Sequence, residues 1–342
     1  MMTRRVTRRE VLKGVGVATL LGGTTGMLTV GSRLVSGDAT ITDPGRYHLD
    51  GDIDSLEIAA ERVRVDGRGY TVRGVTKISG RNLSISALVM GDGVRIFDAR
   101  QVSLDDSRID VRANPQSDVD TLLSIEDSEH CFVTDTVLYA TDRTGVQLTN
   151  AHDNRFRSCT MTSAIVVSLT NADRNRFSDC ELLSEESVVV LHESDRNVFK
   201  SNVIDSESPG FTLVNSEQNR LIKNELDILV AGFVLRESDR NLVLKNTVDG
   251  DLGARGAILA DADDNRLVHN DFCDLVLPHA DDPLVVVSPD STGNTIRNVE
   301  CGADSEPSSE TPPPMTPKPA EPTPETPKQP KHDELYCTVS DE

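Results

Sequence analysis

Seven asparagines, Asn154, Asn175, Asn197, Asn219, Asn241, Asn265 and Asn294, follow one another at 21, 22, 22, 22, 24 and 29 residues. Self-similarity at this period restricts the chain to a solenoid, in which each repeat buries its apolar side only against its neighbours. Six residues before the first six asparagines stand Leu148, Leu169, Leu191, Leu213, Leu235 and Leu259. Two residues earlier again come Val146, Val167, Val189, Phe211, Phe233 and Ala257. This alternation predicts one strand per repeat. Apolar positions two residues after each asparagine (Phe156, Phe177, Phe199, Leu221, Val243, Leu267, Ile296) and seven after (Met161, Leu182, Ile204, Leu226, Val248, Phe272) predict two more. Three inward-facing rows cannot be buried within one coil, so coils must stack in parallel about 4.8 Å apart. The fold class is therefore all-β, a right-handed parallel β-helix of roughly ten or eleven coils, about 50 Å long.

Five residues after each leading asparagine lies a second row: Cys159, Cys180, Asn202, Asn224, Asn246 and Asn270. Asparagine suits such bends because it tolerates left-handed backbone, and stacked amides can hydrogen-bond from coil to coil. The cysteines follow no disulfide framework, and buried free thiols are expected. A bridge among Cys273, Cys301 and Cys337 stays open.

Coils such as Asn219-Arg220-Leu221-Ile222-Lys223-Asn224 are similar to NosD-type β-helix repeats, and the likeness extends from about Ile41 to Cys301. Ile41-Thr42-Asp43-Pro44-Gly45-Arg46-Tyr47-His48-Leu49 resembles that family's entry segment, and Val65-Asp66-Gly67-Arg68-Gly69 its first-coil turn. The resemblance implies an association with copper-site assembly. Against it, His130, His152, His192, His269 and His279 keep no common repeat position, and no Met/His cluster is visible.

The N-terminus reads Thr7-Arg8-Arg9-Glu10-Val11-Leu12-Lys13, then an uncharged stretch from Gly14 to Gly31. It resembles a twin-arginine signal, which implies export of a folded chain to the cell surface or beyond. Residues 1–39 are assigned to this signal, with cleavage after Ala39 or retention as an N-terminal anchor, the one expected membrane contact. Residues 40–302 form the β-helix. Residues 303–342, rich in Pro, Thr and Glu, form a disordered tail.

Three places could carry chemistry. Before each leading asparagine lies a polar row, His152, Asp173, Asp195, Glu217, Asp239 and Asp263, whose carboxylates would stack about 5 Å apart. Arg174, Arg196 and Arg240 stand beside three of them, as a solvated, charge-paired turn requires. The alternative is a cation stripe in which Asp173, Asp195, Glu217, Asp239 and Asp263 hold Ca²⁺, although that ion prefers convergent oxygens to a line. Two longer coils insert residues at Asn114-Pro115-Gln116-Ser117-Asp118-Val119-Asp120 and at Pro278-His279-Ala280-Asp281-Asp282, on one side but about 34 Å apart. His279, Asp281 and Asp282 are the candidates for acid/base or metal chemistry, against a plain polar loop. On the first strand the outward pairs, such as Gln147/Thr149 and Val234/Arg236, contain no carboxylate pair, and Trp is absent. Both facts argue against a carbohydrate enzyme.

The expected role is that of an exported, non-catalytic β-helix with a binding or structural function, its partner a polysaccharide or envelope component. A carbohydrate-active enzyme (polysaccharide lyase or glycosidase) and a NosD-like copper-handling accessory protein are the alternatives. Ca or Cu are the only cofactors in view.

Asp and Glu total 56 against 35 Lys and Arg, a net charge of −21, which argues against a nucleic-acid partner. The first 39 residues are net basic, so the β-helix itself is strongly acidic. Its self-repulsion is relieved in concentrated salt, where at ~1 M the screening length falls to ~3 Å. The composition points to a salt-loving organism, with an ordinary acidic secreted protein as the alternative. A melting temperature that rises from dilute buffer to molar salt is expected, and one that stays flat would favour the alternative.

Overall fold

The computed structural model describes residues 32–113, 119–184, 186–272, 275, 277, 279 and 282–297. The chain divides into two units, Met1–Cys301 and Gly302–Glu342, and all described residues belong to the first. Among them no helix is long and apolar enough to cross a membrane.

A representative coil consists of Ser187–His192, a turn, Val198–Lys200, a second turn and Val203–Ser206, after which Phe211–Val214 begins the next. Every strand pairing is parallel and joins equivalent positions of successive coils, as in Val189↔Phe211, Phe199↔Leu221 and Ile204↔Leu226. First and second strands lie in a 23-stranded sheet, third strands in a nine-stranded one, giving a β-solenoid of about ten turns. Pairing begins earlier than expected: Arg33–Val35 lies against Tyr47–Leu49, and Asp38–Ile41 against Ser55–Ile58. The expected boundary at 39/40 therefore falls inside a strand. In the early coils Thr76–Ser86 and Val94–Asp105 each run through a corner as one strand. Gly80 makes that bend possible: its φ is +110° and an added Cβ would lie 2.0 Å from the Ala60 carbonyl oxygen.

The three apolar rows fill the interior. Phe156, Phe177 and Phe199 stack ring on ring at 4.4 and 4.8 Å with their planes nearly parallel, as the coil spacing dictates. Phe211 and Phe233 stack from the first strands, and Phe211 meets Phe199 edge to face.

Apart from the half-buried Asn294 at the end of the stack, the asparagines of both rows are buried and work in the same way. Asn219 Oδ1 accepts the Asn197 N–H at 2.8 Å, while its Nδ2 donates to the Ser194 carbonyl at 3.0 Å. Asn241 and Asn265 do the same for the turns before them. In the second row Asn224 Oδ1 accepts the Asn202 N–H and its Nδ2 donates to the Phe199 carbonyl. Each amide thus spans the first carbonyl and the fourth N–H of a turn in the preceding coil, standing in for the bond that would close an ordinary β-turn. Asn197 departs from the pattern, since its Nδ2 has no hydrogen-bond partner among the described residues.

The left-handed residues are not these asparagines but the ones just before them. Arg174, Arg196, Gln218 and Arg240 precede the first row, and Asp179, Ser201, Lys223 and Lys245 the second, all at φ between 52° and 60°. The ladder residue keeps ordinary backbone because its side chain must point inward, so the strain falls on the exposed residue that reverses the chain. A third left-handed set, Glu193, Asn215 and Glu237, precedes a buried serine column in which Ser194 N–H donates to Ser216 Oγ and Ser216 N–H to Ser238 Oγ.

Replacing Asn219 with Ala strands the Asn197 N–H and the Ser194 carbonyl in a dry interior. A loss of about 2–4 kcal/mol is expected in denaturant unfolding. Glu225→Ala, on the exposed side of the same coil, should stay within about 0.5 kcal/mol.

Candidate functional site

The polar row lies at the corner between first and second strands. Its carboxylates accept backbone N–H groups from the following coil: Asp173 Oδ1 from Asp195 at 2.9 Å, Asp195 Oδ1 from Glu217 at 2.7 Å and Asp239 Oδ1 from Asp263 at 2.8 Å. Asp263 Oδ1 receives both the N–H and the hydroxyl of Thr292. One oxygen of each of these four residues is thus committed to the backbone, and Glu217 pairs with Arg240. The row is an outer structural column. Arg174 pairs with Asp153 of the coil before, and Arg196 donates to Gln218.

The column starts differently. At its first position His152 Nδ1 accepts the Asp173 N–H at 3.0 Å, the place a carboxylate takes elsewhere. One coil earlier Glu129 is the register partner of His152, and the parallel pairing brings His130 beside Asp153. Two dipeptides, Glu129-His130 and His152-Asp153, therefore stack as a block with imidazoles on one diagonal and carboxylates on the other. A carboxylate oxygen of Glu129, a ring nitrogen of His130 and a carboxylate oxygen of Asp153 lie within 4.8 Å of one another. His130 Nδ1 is shielded from solvent and has no hydrogen-bond partner; Glu129 Oε2 faces it at 3.4 Å. A buried, unsatisfied ring nitrogen is costly unless something fills its lone pair.

Two arginines orient the carboxylates. Arg100 reaches Glu129 at 3.1 Å, and Arg174 forks onto both oxygens of Asp153 at 2.9–3.2 Å. The Arg174 hydrogen bonds hold the Asp153 carboxyl below its ordinary range, against the opposing effect of burial. One imidazole nitrogen and two carboxylates, fixed from behind, suit a borderline divalent transition metal better than Ca²⁺, which takes six to eight oxygens. Among the described residues this is the one convergent group of three His, Cys, Asp or Glu ligands. In the sequence its trace is a Glu-His and a His-Asp pair offset by 23 residues, hidden because neither histidine repeats.

The insertions offer less. His279 is exposed, its carbonyl capping the Asp282 N–H, and Asp282 faces Arg255 at 3.5 Å. Asp281 lies outside the described residues, as do residues 114–118. At the foot of the first insertion Asp110 is gripped by Arg108 and Arg112, and Arg112 stacks over Tyr139 at 3.7 Å. Burial of Asp110 acts to raise its carboxyl, but the two arginines outweigh it and hold the group at about 2.

Cys131, Cys159 and Cys180 are buried free thiols, while Cys273, Cys301 and Cys337 lie outside the described residues. Cys131 occupies the leading-asparagine position of its coil, where its N–H is taken by Asn154 Oδ1. Burial pushes its thiol up to about 12, which leaves it unreactive. Cys180 Sγ turns to the Ser178 carbonyl of its own coil, whereas Cys159 Sγ lies within reach of both the Arg157 carbonyl and the Val133 carbonyl of the coil before.

The third strands carry a carboxylate row not anticipated from the first strands: Asp205, Asp227 and Asp249 are register partners. Burial raises the Asp227 carboxyl above its ordinary value, and the neighbouring Asp205, Asp249 and Asp251 add to the shift. A shallow groove lined by Thr141, Thr162, Ser184, Asp205 and Glu207 runs beside the row.

The family model described as "Periplasmic copper-binding protein (NosD)" matches residues 75–276. No curated protein matches the chain in sequence. Among solved structures, the Dettilon tailspike protein gp208 is similar with a TM-score of 0.56 at 12% identity, over 78% of this chain and 58% of its own. PfbA, a surface adhesin of Streptococcus pneumoniae, has a TM-score of 0.52 at 12% identity, over 72% and 82%. DFA-IIIase from Arthrobacter chlorophenolicus A6, without its lid and in complex with GF2, has 0.50 at 13%, over 76% and 83%. At such identities the likeness is one of fold.

Proposed function

The chain belongs to the NosD family, and from that premise we propose that it is an exported, non-catalytic β-helix protein that binds a transition-metal ion. The family's description names copper and the periplasm, and the segment Thr7-Arg8-Arg9 onward supports export by the twin-arginine route. The observation that carries the reading is the His130 imidazole, its Nδ1 without a hydrogen bond, converging with the carboxylates of Glu129 and Asp153. Three protein ligands leave coordination positions open, and Arg100 and Arg174 compete for the same oxygens. Both features favour an exchangeable ion over a permanently held one, as a handling role requires. The stripe Asp173, Asp195, Glu217, Asp239 and Asp263 enters the proposal only as the column that fixes this corner.

Titration of the metal-free protein with Cu²⁺ should show one equivalent bound, with nitrogen hyperfine coupling in the electron paramagnetic resonance spectrum. His130→Ala should weaken binding by about tenfold or more and remove that coupling. Binding that is unchanged in His130→Ala would overturn the site, and a wild-type protein that binds no copper would overturn the reading.

A second reading, a carbohydrate-active enzyme, has in its favour the stacked carboxylates Asp205, Asp227 and Asp249 beside a groove, because glycoside cleavage uses neighbouring carboxylates. It requires that polysaccharides incubated with the protein yield new reducing or unsaturated ends, and that Asp227→Asn abolish them. A broad panel without such products would remove it.

A further inference from the structure

The second strands turn an unusual face outward for so acidic a chain. Their outward positions form two rows along the coil stack. The first runs Phe132, Arg155, Arg176, Val198, Arg220, Leu242 and Arg266 in register. The second runs Thr134, Arg157, Ser178, Lys200, Ile222, Leu244 and Val268 in the same register. Together they hold six cations and no carboxylate, although the chain carries a net charge of −21. None of the six has an ion pair among the described residues, and the five arginines are exposed. Arg155 rests over the half-buried Phe132 ring at 5.6 Å.

Stacked like charges about 5 Å apart repel by ~1 kcal/mol in water, and no carboxylate at the outward strand positions of these two rows offsets that cost. Carboxylates stand in the polar corner row, on the third strands and, nearest to this face, at Asp179 in the turn that follows Arg176–Ser178. At one end, Phe132, Arg155, Arg157, Arg176 and Val198 line a groove of about 630 Å³, which Asp179 borders from the adjoining turn.

We propose that this face binds an acidic polysaccharide, a chain of carboxylate-bearing sugars laid along the coil stack. Arginine forks match carboxylates in two-point geometry. The apolar residues between them, Phe132, Val198 and Leu242, supply contact for the carbon faces of sugar rings. A nucleic acid is disfavoured because its bases need aromatic stacking platforms, which these two rows hold only at Phe132, and because it carries a full charge at every nucleotide. The denser polyanion would also meet the repulsion of the other faces. This inference stands apart from the metal reading, since it uses neither His130 nor Glu129.

The test is binding of the full-length protein, with chelator present, to polygalacturonate, to the same polymer fully methyl-esterified, and to single-stranded DNA. Calorimetry should show binding to polygalacturonate that weakens with added salt, and about tenfold or greater loss both on esterification and in Arg155→Ser/Arg176→Ser. Lys77→Ser/Arg236→Ser, which removes the same charge from the first-strand face, should bind as the wild type does. Arg220→Ser/Arg266→Ser repeats the test on other coils should the first pair fail to fold. Absence of wild-type binding, equal binding to the esterified polymer, tighter binding to DNA, or an equal loss in the Lys77/Arg236 variant would each overturn the proposal.

Discussion

The structure depends on one substitution of chemistry: a side-chain amide from one coil takes the place of a backbone bond in the coil before it. Three corners per coil must reverse the chain, and each exposes carbonyl and N–H groups toward a dry interior where nothing else could satisfy them. Asparagine carries an acceptor and a donor at one carbon, so a single residue meets both needs and sets the register of its coil. The cost appears one residue earlier, where Arg174, Arg196, Lys223 and their equivalents adopt the left-handed conformation. Stacked phenylalanines, serine columns and the outer carboxylate column all inherit their spacing from this arrangement.

The repeat was legible in the sequence because burial is periodic: Leu191, Phe199 and Ile204 recur at fixed offsets from Asn197 and face inward as expected. The corner backbone was less legible. The residues that carry positive φ vary in type from arginine to serine, so only the inward neighbour leaves a pattern. The metal candidates were hidden for the opposite reason. His130 and His152 recur at neither of their repeat positions, and only the parallel pairing of two coils shows that they share a block with Glu129 and Asp153. The polar row looked like a charge-bearing stripe because sequence shows side-chain type and not hydrogen-bond partner; an Asp that accepts a neighbour's N–H reads the same as a free one.

Charge in this molecule is sorted by face. Carboxylates stack on the third strands and at the first corner, cations on the second strands, so adjacent surfaces of one coil differ in sign. A solenoid permits this because each face is a separate lattice of outward positions that the core does not constrain. The Glu129–Asp153 corner lies where an acidic column meets the basic face, with Arg174 shared between them. Function in such a fold is written as departures from the repeat, and the departures here fall within a few coils of one another.

The amides also give the coil stack a direction. Every asparagine reaches toward the N-terminal side, so the turn of one coil is closed by a residue about 22 positions further along the chain. During synthesis the newest coil is therefore always incomplete, and it is finished only when its successor arrives. The two ends are unequal as a result. Removing coils from the N-terminal side leaves an amide without work, whereas removing them from the C-terminal side leaves an open turn. The stack therefore has a polarity that its sheets alone do not impose, each coil completing the one before it.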